Sequence, residues 1–337
     1  MKNPLFFLLI LSLTATSCAS TMPKPPTWVA SPNEAYPQSR YITAVGTGHD
    51  RTEAERNALA ALVAIFGQSV QTEMSTVVTY SKAVADGAVN MSEDRSIQNA
   101  IKTSAAMDTL VGAEIAGVWF DGTSLHYAIA LMDRQKTTAL YTDMLNGNQQ
   151  VITKLTVLPD TEKYTPGSIE RFRLAGTIAD VNQVYATVLA VLGNGTSAAP
   201  NLRTGDSYRL EAADITANIP IAVRVNDDRN GRINAAFAQV LNKAGFKSGE
   251  AASRFVLAVT LTLTEDPVQN QRFSFVNYLV DARLTDTLPG VVLLPFTITG
   301  KEGHANREGA ESRALMAVEK QIAETFGAAL TDWLSSL

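Results

Sequence analysis

Gly46-Thr47-Gly48 lies between an apolar run and a helix-like segment in Tyr41–Gly67, the context in which glycines cradle phosphate. A dinucleotide site needs Gly-x-Gly-x-x-Gly, for a tight turn, close approach of backbone to pyrophosphate and close helix packing. Here the third glycine is replaced by Arg51, and Asp50 puts negative charge where the phosphate would bind. No Gly-Lys-Ser/Thr follows, so a P-loop is excluded as well. The expected role of the two glycines is to turn the chain from strand to helix. Asn226, Asp228, Asn230 and Gly231 match the first half of a calcium loop, but its twelfth position is Phe237 where a bidentate glutamate is required. A strand before the loop is the wrong context for an EF-hand, so this reads as a polar strand-to-helix loop. His49, His126 and His304 are scattered without a His-x-x-x-His pair. No Gly-x-Ser-x-Gly elbow occurs. The acid pairs Asp227-Asp228 and Glu265-Asp266 fall in expected loops, where solvated carboxylates are the default. Acids from distant positions can still meet in space, which a sequence does not display. The expectation is a chain with no catalytic residue, no metal site and no cofactor.

Cys18 is the one cysteine of the chain. It follows a short leader: Lys2, an apolar run over Leu5–Leu13, then the small residues Ala15, Thr16 and Ser17. That run is far shorter than the roughly 20 residues a bilayer span needs. No other segment reads as a membrane span. The leader resembles a bacterial lipoprotein signal, whose cysteine becomes the acylated first residue of the mature protein. The resemblance implies lipidation at Cys18, and Ala19 in place of an aspartate implies the outer membrane. With no second cysteine, disulfides and thiolate metal sites are not available.

Composition sets the remaining bounds. With 337 residues, 46% hydrophobic and 18% charged, the chain can bury a sizeable core and is expected to divide into more than one domain. Its net charge is −5, and loss of residues 1–17 with their lysine makes it −6. Mild acidity without basic runs argues against nucleic acid or an anionic membrane surface as partner.

The elements that must carry these residues follow from periodicity and punctuation. Residues 18–40, with Pro23, Pro25, Pro26, Pro32 and Pro37, read as an extended tether in which Trp28 docks on the domain that follows. Tyr41–Gly46 reads as a strand. Asp50 or Thr52 caps a helix with Ala54, Ala58, Ala61, Leu62, Ile65 and Phe66 on one face. Ser81–Lys102 reads as mobile or weakly helical. Thr109–Phe120 and Leu125–Met132 form a hairpin about Asp121-Gly122, and Asp133 caps a helix to about Leu158. Thr165-Pro166 opens a helix and Thr204 caps another. Strands are expected at Ile219–Val225 and around Phe255–Leu263, Val276–Leu284 and Val292–Ile298. A helix over Ile233–Ala244 closes at Gly245. Pro295 marks the last strand as an edge. A helix capped by Asn306 ends the chain, with Leu315, Val318, Ile322, Phe326, Ala329, Trp333 and Leu337 on its stripe. The expected fold is α+β, two small two-layer α/β sandwich modules (41–158 and 219–337) joined by a helical connector at 159–218.

Trp28, Val45-Gly46-Thr47-Gly48, the Ala54/Ala58/Ala61 helix face, and Trp119 followed by Tyr127-Ala128-Ile129-Ala130 together resemble the LPP-twenty family of bacterial envelope lipoproteins, over about residues 25–145. The resemblance implies a non-enzymatic protein, and some members belong to flagellar or surface assemblies. The β-α-β-β-β-α order of residues 219–337 is similar to the amino-terminal domain of TolB and to the curli-secretion lipoprotein, and order alone carries no function. The expected function is therefore that of an outer-membrane-anchored, periplasm-facing structural or accessory part of an envelope assembly, with a protein partner or a second copy of itself. The alternative is a lipoprotein that captures a small molecule between its modules.

Overall fold

The computed structural model describes residues 24–67, 110–193, 202–250, 252–266 and 273–337. Cys18, the leader, the whole of the segment 81–102 and the breaker run after Gly193 lie outside them. The chain is α+β, and the described residues divide into two compact units, 24–65 together with 113–133, and the described residues of 66–112 and 134–337.

The first unit is a three-stranded antiparallel sheet of β1 (Tyr41–Gly48), β2 (Ala113–Phe120) and β3 (His126–Asp133), in the order β1-β3-β2. Helix α1 (Arg51–Ile65) packs on it through Ala54, Ala58 and Leu62, all fully buried. Asp50 starts that helix by accepting from the Glu53 N–H at 2.8 Å. Gly46 and Gly48 lie within β1, so they do not turn the chain as expected. A Cβ at Gly46 would stand 2.1 Å from the Ala58 nitrogen, and one at Gly48 2.5 Å from the Ala54 nitrogen. The glycines and alanines together let strand and helix backbones approach. Trp119 and Tyr127 are partners across β2 and β3, with ring centroids 5.3 Å apart.

The tether expectation changes within the described residues. Thr27–Ala30 and Pro32–Ala35 are single helical turns, the second started by a proline at its first position. They form because Trp28 has somewhere to go: it is buried, and its indole lies where a Cβ on Gly117 would meet it at 3.4 Å.

The second unit holds a mixed five-stranded sheet, β4 (Pro220–Asn226), β5 (Lys247–Ser248), β6 (Phe255–Glu265), β7 (Ser274–Asp286) and β8 (Val291–His304), ordered β5-β4-β6-β7-β8. β4 runs parallel to β5 and β6, and β6-β7-β8 are antiparallel. Pro295 lies on the edge strand β8, as its missing N–H requires. Helices α2 (Arg134–Thr156), α3 (Pro166–Leu192) and α4 (Gly205–Ala217) precede the sheet, α5 (Arg232–Lys243) connects β4 to β5, and α6 (Arg307–Gln321) and α7 (Gly327–Ser335) follow it. Thr165, Thr204 and Asn306 cap α3, α4 and α6 through their side chains.

The boundary expected at 158 falls inside this unit. Val151 and Leu155 of α2, Ile169 and Phe172 of α3 and Ile215 of α4 share one hydrophobic core with Phe255, Val280 and Phe326. Residues 159–218 thus contribute to a core as well as connecting. Helix α3 also departs from expectation, being long and apolar enough to cross a membrane by length and composition. However, 72% of its most apolar stretch is buried in the unit, as in a core helix.

The last helix differs in a way that matters below. Between α6 and α7 lies a π turn, Ile322–Phe326. The expected stripe continued through Ala329, Trp333 and Leu337. Instead Leu330 and Leu334 are buried, and Trp333 is only half-buried. One additional residue in the turn rotates everything after it.

Candidate functional site

The residues singled out for chemistry are engaged in the framework. The Asp228 carboxylate accepts from the Ile233 N–H (3.1 Å) and the Asn234 N–H (2.9 Å), capping α5. Asp227, Asn230 and Gly231 take left-handed backbone conformations, which shape the loop that delivers that cap. Asp266 is ion-paired with Lys301, and Glu265 with Arg307 at 3.3 Å. His126 stacks on Phe120 at 4.5 Å, and the His304 ring contacts the Asn306 side chain at 3.1 Å. Among the described residues, no three His, Cys, Asp or Glu side chains are grouped so as to hold a metal. Asp121 accepts from the Thr123, Ser124 and Leu125 N–H groups at 2.8, 2.9 and 3.1 Å. These bonds hold its carboxyl down at about 2.

What the structure assembles instead is a cleft of about 410 Å³ in the second unit, drawn from five separate segments. Leu158, Phe255, Leu293, Trp333 and Leu337 give it an apolar lining. Its polar groups are the start of α3 (Thr165 to Ser168), Glu162, Arg171, Arg254 and Asp286. Thr165 and Ser168 form a reciprocal capping box, which fixes where α3 begins. Arg254 donates to Asp286 through Nε (2.8 Å) and Nη2 (2.6 Å), and to the Thr161 carbonyl through Nη1 (2.9 Å). The Arg254 guanidinium holds the Asp286 carboxyl below the usual carboxylate range, helped by the Leu288 N–H. Arg171 ties α2 to α3, donating Nε to the Leu155 carbonyl (3.2 Å) and Nη2 to the Lys154 carbonyl (2.8 Å).

The sequence marks none of these residues as a site: Trp333 and Leu337 read as core positions of the last helix, Leu158 and Phe255 as parts of a helix and a strand, and Thr165-Pro166 as a helix start. The missed signal is the spacing of the last helix. Ile322, Phe326, Leu330 and Leu334 recur every four residues, slower than the 3.6 of a regular helix, and the π turn takes up the difference.

No family model matches the chain, and no curated protein matches it. Among solved structures, the secreted protein HP1454 of Helicobacter pylori is 11% identical, with a TM-score of 0.41, covering 86% of this chain and 98% of its own. A minor lipoprotein of Acinetobacter baumannii is 12% identical, with a TM-score of 0.26, covering 33% of this chain and 93% of its own. Lipoprotein GNA1162 of Neisseria meningitidis is 21% identical, with a TM-score of 0.21, covering 32% of this chain and 96% of its own.

Proposed function

We propose that this chain is a lipoprotein held at the outer membrane through Cys18, facing the periplasm, and acting without catalysis as a structural or accessory part of an envelope assembly. The observation that carries the reading is Cys18 itself, the sole cysteine, placed directly after an apolar leader and three small residues. The resemblance to the LPP-twenty family over residues 25–145 points the same way. The framework roles of Asp228, Glu265, Asp266 and the Gly46/Gly48 pair agree with it. A mature charge of −6 agrees with a protein partner or a second copy of the chain and disfavours nucleic acid.

Each buried methylene of an attached acyl chain contributes roughly 0.8 kcal/mol, and stable anchoring takes more than one chain. Cys18→Ser is therefore expected to move the protein from the detergent phase to the aqueous phase of fractionated cells. A variant that stays with the membrane and is processed normally would overturn the anchor. Crosslinking in cells, followed by identification of the bound protein, tests the assembly role.

A further inference from the structure

Trp333 stands at the cleft because of the π turn. In a regular helix, Trp333 and Leu337 would share the buried stripe of Leu315, Val318 and Ile322. The π turn at Ile322–Phe326 gives the core positions to Leu330 and Leu334 and releases Trp333 and Leu337 to line the cleft. Turns of this kind are rare and frequently found at functional sites.

We propose that the cleft binds a single-chain amphiphile with an anionic head. Its acyl chain lies along Leu158, Phe255, Leu293 and Trp333, and its head sits at the start of α3 beside Arg171. This goes beyond the anchoring role and does not depend on it. A volume of about 410 Å³ is within the usual span of small-molecule sites, and an apolar lining with a few polar groups is their usual chemistry. The head position has two sources of positive potential. Gly167 is the second residue of a 27-residue helix; Pro166 before it has no N–H and the Ser168 N–H is held by Thr165, so the Gly167 N–H is the first-turn donor the capping box does not use, at the end where the helix dipole favours an anion. Arg171 gives two of its N–H groups to carbonyls, and among the described residues no carboxylate pairs with it.

Two guanidiniums and two carboxylates line the cleft. Arg254 is paired with Asp286 and also feels the charge of Glu162, so Arg171 is the guanidinium of the cleft that is bonded to carbonyls alone and paired with no carboxylate among the described residues. Val157 and Val292, both exposed, are the chain neighbours of the lining residues Leu158 and Leu293.

The test uses the full chain carrying Cys18→Ser, so that no attached lipid competes. A fluorescent fatty acid is titrated in, then displaced by decanoate, by decanol or by a short-chain lysophosphatidylglycerol, each below its micellar concentration. Saturable binding is expected, with at least one anionic competitor about tenfold better than decanol. Displacement by decanoate alone identifies a fatty-acid site, and displacement by the lysophospholipid a lipid-headgroup site. Trp333→Ala is expected to weaken probe binding about tenfold. Gly167→Phe should do the same without unfolding, since a Cβ there meets nothing closer than the Thr165 hydroxyl at 4.0 Å. Arg171→Gln should erase the preference for decanoate over decanol. Absence of saturable binding overturns the proposal. So does wild-type binding by Gly167→Phe, or decanol that competes as well as either anion.

Discussion

Gly46 shows how little room the first unit leaves at one α-carbon. A methyl there would meet the Ala58 nitrogen at 2.1 Å and the Ala54 carbonyl oxygen at 2.6 Å, both backbone atoms that no rotamer change can move. Gly46→Val is expected to destabilise this unit by about 1–3 kcal/mol or more. A thermal melt followed by tryptophan emission checks it, and a wild-type midpoint would mean the strand and helix are not in contact. Asp121 offers a finer probe of the same unit. Its carboxyl is held at about 2, against 3.8 ordinarily, by three backbone N–H donors in the β2–β3 turn. A depressed carboxylate contributes stability that is fully present above its unfolded value and is lost as pH falls toward its folded one. The window is therefore about pH 4 down to about pH 2. Carboxyl NMR titration should give a midpoint near 2 for Asp121. A midpoint near 3.8 would show that the turn does not hold those donors.

Elements with local signals were legible before the fold was. Thr165, Thr204 and Asn306 cap the helices they were expected to cap, because a side-chain oxygen reaching the third N–H needs only neighbouring residues. The alternating strands around Val259, Val280 and Ile298 lie in the sheet with those side chains buried, as a half-covered sheet dictates. Elements made by tertiary contact were not legible. β5 is two residues long and exists through its pairing with β4, and the turn at Thr27–Ala30 exists where Trp28 buries. The cleft was hidden for the same reason, since its lining comes from segments as far apart as Leu158 and Leu337. The π turn lies between these cases, visible as a four-residue recurrence that helical periodicity absorbs over short windows. Deleting Ala323, an exposed residue within it, should leave a regular helix in which Ile322, Phe326, Leu330 and Leu334 still face the core. Such a deletion is expected to change stability by no more than about 1 kcal/mol, although a residue has been lost from a helix. A chemical-denaturation curve decides it, and a loss of several kcal/mol would show that the turn is required by the packing of Phe326 on Phe237 and Phe296.

At the scale of the whole molecule, the division by contacts and the division by sequence pattern give different places to cut the chain. Pattern favours a cut at 219, just before β4 opens a β-α-β-β-β-α run that offers both faces of a core. The buried residues argue otherwise, because Leu155, Ile169, Phe172, Ala175 and Ile215 from the preceding helices belong to the cluster that contains Leu257, Val280, Ile322 and Phe326. Arg254 and Arg171 reinforce the junction, the first reaching the Thr161 carbonyl from the start of β6 and the second joining α2 to α3. Cutting at 219 would expose apolar surface worth roughly 25 cal/mol per Å² on both sides of the break. A small domain of about 120 residues has about 5–15 kcal/mol in all to lose before it unfolds. The isolated segment 219–337 is thus expected to show no cooperative thermal transition, while the full chain shows one by circular dichroism and calorimetry. A cooperative transition of the segment at the temperature of the full chain's second unit would mean that helices α2 to α4 are packed on a core that the sheet and its own helices already complete.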